Sequence, residues 1–215
     1  MLCLHCTRFS DTLLCPACSK ALEQASYASL YEQRCPTCNR PVADRAYPCP
    51  FCRDGVQAYA PYTGIVATLL NQFKAGQQKA LAKILAPLYI PMLSPLEKPL
   101  LIPIPASRKG YAERGFDQML LTTGILKKKT GYPALPLFVQ KGEGQSKFLS
   151  RAERQRRHTI TLLPLDAKVE KLHQGGHTFV LLDDICTSGS TLEHTKALLY
   201  QSHGIRALAL VIALA

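Results

Sequence analysis

The chain has 215 residues, of which 47% are hydrophobic, and a formal net charge of +11. That length can bury a sizeable core, enough for one medium domain plus a small module. No apolar run is long enough to span a bilayer, and cysteines interrupt the N-terminus before a leader's apolar region can form. A membrane span and a secretory leader are therefore unsupported, a cytoplasmic location is expected, and the excess positive charge favours polyanions such as nucleic acid or phosphorylated metabolites.

Residues 1–55 carry eight of the nine cysteines, as Cys3/Cys6, Cys15/Cys18, Cys35/Cys38 and Cys49/Cys52. A Cys-x-x-Cys knuckle sets two thiolates about one tetrahedral ion, so four knuckles supply two complete four-sulfur zinc sites. Without a leader, a disulfide framework is the weaker account. Sequence order groups Cys3, Cys6, Cys15 and Cys18 on one ion and Cys35, Cys38, Cys49 and Cys52 on the other. The gap between Cys18 and Cys35 leaves a nested pairing open. Full sulfur coordination leaves no place for water, so the metal reads as structural. His5 lies inside the first knuckle, where it could replace a cysteine but is not needed. A short helix is expected over Leu22 to Tyr31, and Gly55 marks the boundary to a second domain, residues 56–215.

In that second domain Tyr59 to Thr63 reads as a strand or hairpin arm. Helical spacing follows over Gly64 to Phe73, then over Gln78 to Leu88 with a stop at Pro91. Lys74, beside Gly76 at the end of the first of these helices, is placed to reach a phosphate. Leu100 to Pro105 reads as a buried strand with an irregular end set by its prolines. The loop after it carries Arg108 and Lys109, well placed for a diphosphate at the carboxyl end of a strand; their bland reading is solvated charge. Arg114-Gly115-Phe116-Asp117-Gln118 leads into a helix ending on Lys127, Lys128 and Lys129, where cations suit the dipole. Ala134 to Val139 is a further strand candidate. Residues 141–157 hold Lys141, Lys147, Arg151, Arg154, Arg156 and Arg157 against Glu143 and Glu153. Such a segment is a lid over a phosphorylated ligand, a track for a nucleic-acid backbone, or a plain solvated helix. Thr159 to Leu163 is extended, a turn falls at Lys171 to Gly176, and Arg206 to Ala213 closes the chain as an apolar strand.

The most informative stretch is Phe179 to Thr191. Four apolar residues suit a strand buried on both faces, Asp183 and Asp184 stand at its end, and Thr187-Ser188-Gly189-Ser190-Thr191 leads into a helix. The free N–H groups of a helix's first turn, small hydroxyls and the helix dipole together favour an anion. No lysine follows the glycine as it would in a P-loop. The acids instead suit the 2- and 3-hydroxyls of a ribose whose 5-phosphate sits on residues 187–191. Strands alternating with helices argue for a mostly parallel α/β sheet flanked by helices.

This stretch resembles the binding signature for 5-phosphoribosyl diphosphate (PRPP) of type I phosphoribosyltransferases. The order of four knuckles, Pro103-Ile104-Pro105, Arg114 to Gln118, Gln145 to Arg157 and the Asp183 to Thr191 motif resembles the ComF/GntX family across essentially the whole chain. The resemblance implies a double zinc ribbon joined to a phosphoribosyltransferase domain. It also implies a role in natural competence, with incoming single-stranded DNA and the recombination mediator DprA as partners. Asp117 stands where the family usually has Asn, and Arg157 where an Asn is common. Cys186 reads as a small buried filler. If the domain is a working transferase, magnesium would bridge the ribose hydroxyls and diphosphate of PRPP, Asp183 and Asp184 would stabilise the charge developing on the sugar, and Arg108 and Lys109, with Arg154, would neutralise the leaving group. Three functions stay open: a DNA- and ribose-phosphate-binding competence factor, an active phosphoribosyltransferase with an unidentified acceptor, and a scaffold with a vestigial site.

Overall fold

The computed structural model describes residues 1–42, 49, 55–76, 78–140 and 160–215. Its strands are Val56–Pro61 (β1), Pro99–Pro103 (β2), Phe138–Gln140 (β3), Ile160–Leu162 (β4), Thr178–Cys186 (β5) and Ala207–Leu214 (β6). Four of them form a sheet in the order β1-β6-β5-β2 with every neighbouring pair parallel, while β3 and β4 pair antiparallel in a separate ribbon. The apolar runs of β2, β5 and β6 follow from this arrangement, because a parallel sheet is covered on both faces.

Helices complete the layers: Pro16–Gln24 (α1), Tyr27–Leu30 (α2), Gly64–Lys74 (α3), Ala82–Leu85 (α4), Ile90–Leu93 (α5), Arg108–Arg114 (α6), Gln118–Thr130 (α7), Ala167–Gln174 (α8) and Ser190–His203 (α9). Alternation along the strands sorts the two faces. Val180, Leu182, Leu210 and Ile212 pack with Leu69 and Phe73 of α3, Leu85 of α4, and Met119 and Leu126 of α7. Phe179, Leu181, Ala209 and Val211 turn to the other side, against Tyr27 of α2, Val169 of α8, and Leu192 and Leu199 of α9.

Several local expectations are corrected. The helix expected over Leu22 to Tyr31 is two helices, because Ser26 caps α2 by accepting from the N–H of Ser29. Pro91 does not stop the second helical run. It occupies the first turn of α5, where a missing N–H costs nothing, and the run continues to Leu93. Arg108 and Lys109 lie in a helix and not a loop, since Ser107 caps α6 through the N–H of Gly110 and Gly115, at φ 73°, ends it. The turn placed at Lys171 begins only at Gly175, because Asp166 caps α8 and extends helix to Gln174. Ala134 makes only an isolated bridge to Leu101, and the strand there starts at Phe138.

Residues 1–42 dock on the sheet domain at several places, Tyr27 of α2 among them. Cys3, Leu14, Cys18 and Leu22 share the apolar cluster of α3, and the Tyr59 hydroxyl donates to Leu22 O at 3.3 Å. Further on, Asn39 Nδ2 donates to Ala58 O of β1 at 3.1 Å. Among the described residues no helix is long and apolar enough to cross a membrane.

Candidate functional site

A cavity of about 640 Å³ opens beyond the carboxyl ends of β2 and β5, where open α/β sheets collect their ligands. Asp183 and Asp184 form its floor, Lys74 and Gln118 one wall, Lys109 and Arg114 another, and Ser190 and Thr191 the start of α9. Gly189 takes φ 76° just ahead of α9, and no side chain caps that helix. Its O accepts the first intrahelical bond, from Glu193 N, which leaves the N–H groups of the first turn outside the helical ladder, with Ser190 N donating to Ser188 Oγ at 3.4 Å. Ser188 Oγ donates to Ser190 Oγ at 3.0 Å, which gathers the hydroxyls at the same helix end.

The two acids differ in their surroundings. Asp184 is 2% exposed and both its oxygens have partners. Oδ1 meets Lys74 Nζ at 2.9 Å and accepts from Ile185 N at 2.7 Å, while Oδ2 accepts from Gln118 Nε2 at 3.4 Å. Asp183 is half-buried, and its Oδ1 accepts from Asp184 N at 2.9 Å. Burial first, and then the adjacent Asp184 carboxylate, push the Asp183 carboxyl up to about 8; the backbone N–H and Lys74 only partly oppose them. Tyr89 lies beneath the pair and donates to Asp183 O at 2.6 Å. Its burial and the two carboxylates push the phenol well up, which keeps it a donor.

Arg114 to Gln118 serve this cavity one residue at a time. The Arg114 guanidinium folds back over Gly110, where an added Cβ would sit 2.5 Å from its terminal nitrogen. Gly115 supplies the left-handed turn between α6 and α7. Phe116 plugs the core against Phe73 at 5.8 Å between ring centroids, with Lys79 above it. Asp117 caps α7 through Oδ1, accepting from Met119 N and Leu120 N, and its Oδ2 accepts from Ala106 N at 2.7 Å. The carboxylate at position 117 thus has a structural use: it accepts on both oxygens. Arg114 Nε and Gln118 Oε1 are buried and have no hydrogen-bond partner among the described residues.

Asp183, Asp184, Lys109, Ser190 and Thr191 thus share one cavity. Arg108, one residue before Lys109 on α6, lines a separate apolar hollow with Tyr111, Leu120 and Phe138. Thr187, Ser188 and Gly189 line a third space with Tyr27, Arg40 and Cys186, and Cys186 itself is buried. Lys147, Arg151, Arg154 and Arg157 lie outside the described residues. Sequence reasoning missed Tyr89 and Gln140. A tyrosine inside an apolar helical run was the available signal for Tyr89, since a buried hydroxyl needs a partner.

The cysteines gather as sequence order suggested. Sγ atoms of Cys3, Cys6, Cys15 and Cys18 lie within 4.8 Å of one another, as do those of Cys35, Cys38 and Cys49; Cys52 is outside the described residues. Cys6 to Cys15 is 3.7 Å and Cys38 to Cys49 is 3.8 Å. A tetrahedron with zinc–sulfur bonds of about 2.3 Å has edges of about 3.8 Å, so both clusters are compatible with zinc. Burial and the neighbouring thiols push Cys18 up to about 12. Burial also works against the Cys3 thiolate, but backbone contacts to Cys15, Cys6 and His5 outweigh it and bring that thiol down to about 6. His5 Nδ1 sits 3.2 Å from Cys18 Sγ, beside the cluster and not in it.

Magnesium, which the resemblance implies, fits the acids poorly as a protein-held ion. A hard divalent cation seeks carboxylate oxygens, and Asp184 Oδ1 is already paired with the Lys74 ammonium while Oδ2 accepts from Gln118 Nε2.

Fold and site together define an α/β protein with a parallel sheet covered on both faces, an acidic strand end facing a cavity, and a cysteine-rich N-terminal region able to hold two metal ions. No family model matches the chain. The chain is similar to the competence protein ComFC of Streptococcus pneumoniae, at 25% identity over 201 residues that cover 91% of this chain and 84% of that protein. This similarity supports membership of the ComF family.

Proposed function

We propose that the chain is a competence-associated protein whose sheet domain, residues 56–215, is phosphoribosyltransferase-like and binds PRPP-type ribose phosphates, with residues 1–55 as a zinc-stabilised module. What supports this is the meeting, in one cavity, of an acidic strand end and the uncapped start of α9. Ser190, Thr191 and the first-turn N–H groups would take a 5-phosphate, and Asp183 a ribose hydroxyl. Lys109 and Arg114 are placed to neutralise a diphosphate, and magnesium would arrive on that diphosphate as the ligand's own counter-ion. The relative's name, competence protein, points to the handling of incoming DNA, and a net charge of +11 favours single-stranded DNA as the polyanion. DprA, implied by the family resemblance, belongs to the same proposal.

Calorimetry of the full chain with PRPP tests the cavity. Binding is expected, weakened about two- to tenfold in Asp183→Ala, the cost of one lost hydrogen bond. Absence of binding by the unaltered protein refutes the reading. For DNA, the logarithm of affinity should fall against the logarithm of salt by about 0.7 per neutralised phosphate. Release of diphosphate from PRPP in the presence of an acceptor would add catalysis to binding.

A further inference from the structure

Asp184 poses a problem that the ribose-phosphate reading does not itself solve. Its side chain is 3% exposed, and a buried carboxylate is tolerated only when its charge is compensated. The compensation comes from Lys74, the last residue of α3, whose side chain is 36% exposed and lines the same cavity. An ammonium has three donors, and Asp184 Oδ1 takes one of them, so Lys74 can hold the acid and still face a ligand. Ile185 N and Gln118 Nε2 also donate to the Asp184 carboxylate. A divalent ion approaching Asp184 would meet an ammonium already in place on Oδ1.

We infer that Lys74 is the resident cation of this acidic strand end, standing where a protein-held divalent ion would otherwise sit, so that the cavity takes ribose phosphates without one. The inference rests on the ribose-phosphate reading and adds to it a positioning residue and an independence from metal. Lys74 holds Asp184 in one orientation, that carboxylate keeps the Gln118 amide turned toward it, and the remaining donors of Lys74 face the ligand's oxygens. Nothing in the PRPP signature requires such a lysine. It enters from a helix that precedes β2 in the chain and reaches Asp184 only through the fold.

The test is titration of the zinc-loaded full chain with ribose 5-phosphate, which brings no diphosphate to carry a metal. It is run once in magnesium-free buffer passed over a chelating resin, with no chelator in solution so that the structural zinc stays bound, and once in magnesium. The unaltered protein should bind equally in both, within about twofold. Lys74→Met should lose at least about tenfold in magnesium-free buffer and regain most of it in magnesium, because the vacated carboxylate then becomes a metal ligand. Lys74→Arg should keep the unaltered pattern. If Lys74→Met does not fold with its buried acid unpaired, manganese titration of the unaltered protein followed by electron paramagnetic resonance decides the matter. No bound manganese supports a resident ammonium, and one ion bound per chain overturns it. The double variant Lys74→Met with Asp184→Asn, which leaves neither charge, is the folded reference. A tenfold loss in magnesium-free buffer by the unaltered protein, or no loss in Lys74→Met, overturns the inference while leaving ribose-phosphate binding intact. Failure of the unaltered protein to bind in either buffer overturns both.

Discussion

The first cysteine cluster and the second are built from the same knuckle but joined differently to the rest of the molecule. Cys3 and Cys18 lie in the main apolar cluster, with Leu22, Leu69 and Phe73. Cys35, Cys38 and Cys49 form a small cluster of their own with Val42 beside it. Equal metal chemistry therefore carries unequal structural consequence: one site is part of the sheet domain's core, and the other is held on β1 by contacts such as Asn39 to Ala58. The acidic cavity is a third kind of site, since its side chains come from α3, α6, α7, β5 and α9 and meet only when the sheet is complete.

The contrast is most easily broken at the cysteines. Cys18→Ser should destabilise the whole chain by at least about 3 kcal/mol, or roughly 6–12 °C in melting temperature at this length. Cys38→Ser should fray its own cluster and leave the main calorimetric transition within about 2 °C. Equal losses from the two variants would show that both clusters belong to one cooperative unit. Zinc analysis of the unaltered protein, expected to give two ions per chain by the four-sulfur rule, fixes the starting point.

The next effect sharpens the difference between a site that supports the fold and one that costs it stability. Asp183 has its carboxyl raised from 3.8 to about 8 in the folded chain, so the folded state holds this proton more tightly than the unfolded state does. Its contribution to stability is complete below about pH 4 and drains away as pH rises through about 8. Asp183→Asn removes that loss. Urea unfolding should show the variant more stable by about 1–3 kcal/mol at pH 8.5, with a clearly smaller gain at pH 5.5. A gain that does not change with pH would mean that Asp183 keeps no proton.

What the sequence disclosed follows the same division. The knuckles and the run from Phe179 to Thr191 were legible because each is contiguous: a strand, its acids, a glycine turn and a helix start need no distant partner. The parallel character of the sheet could be read from apolar runs, but not the order β1-β6-β5-β2, which depends on long crossovers. Lys74 could be flagged as a helix-end cation near a glycine, yet its partner Asp184 lies far along the chain and only packing joins them. Arg108 and Lys109 looked equivalent in a loop. Once α6 forms, consecutive residues point about 100° apart, so Lys109 lines the acidic cavity and Arg108 does not. The signals for α6, Ser107 before it and Gly115 after it, were present but outweighed by Gly110 and the charged run.

The smallest effect tests whether Asp117 belongs with the fold or with the ligand site. Its Oδ1 accepts from Met119 N and Leu120 N at the start of α7, and its Oδ2 accepts from Ala106 N in the segment between β2 and α6. Three backbone donors thus converge on one carboxylate and tie two walls of the cavity together. An asparagine has one carbonyl oxygen, so Asp117→Asn must turn its NH₂ either toward the Ala106 N–H or toward the helix donors. Keeping the cap and losing the Ala106 bond is the cheaper choice, at a cost of about 1 kcal/mol. Melting temperature should fall by roughly 2–4 °C. Hydrogen exchange should quicken at Ala106 while Met119 and Leu120 stay protected. Faster exchange at the helix start instead would show that the bond to Ala106 is the stronger of the two, and that the loop after β2, not α7, sets the position of Gln118 against Asp184.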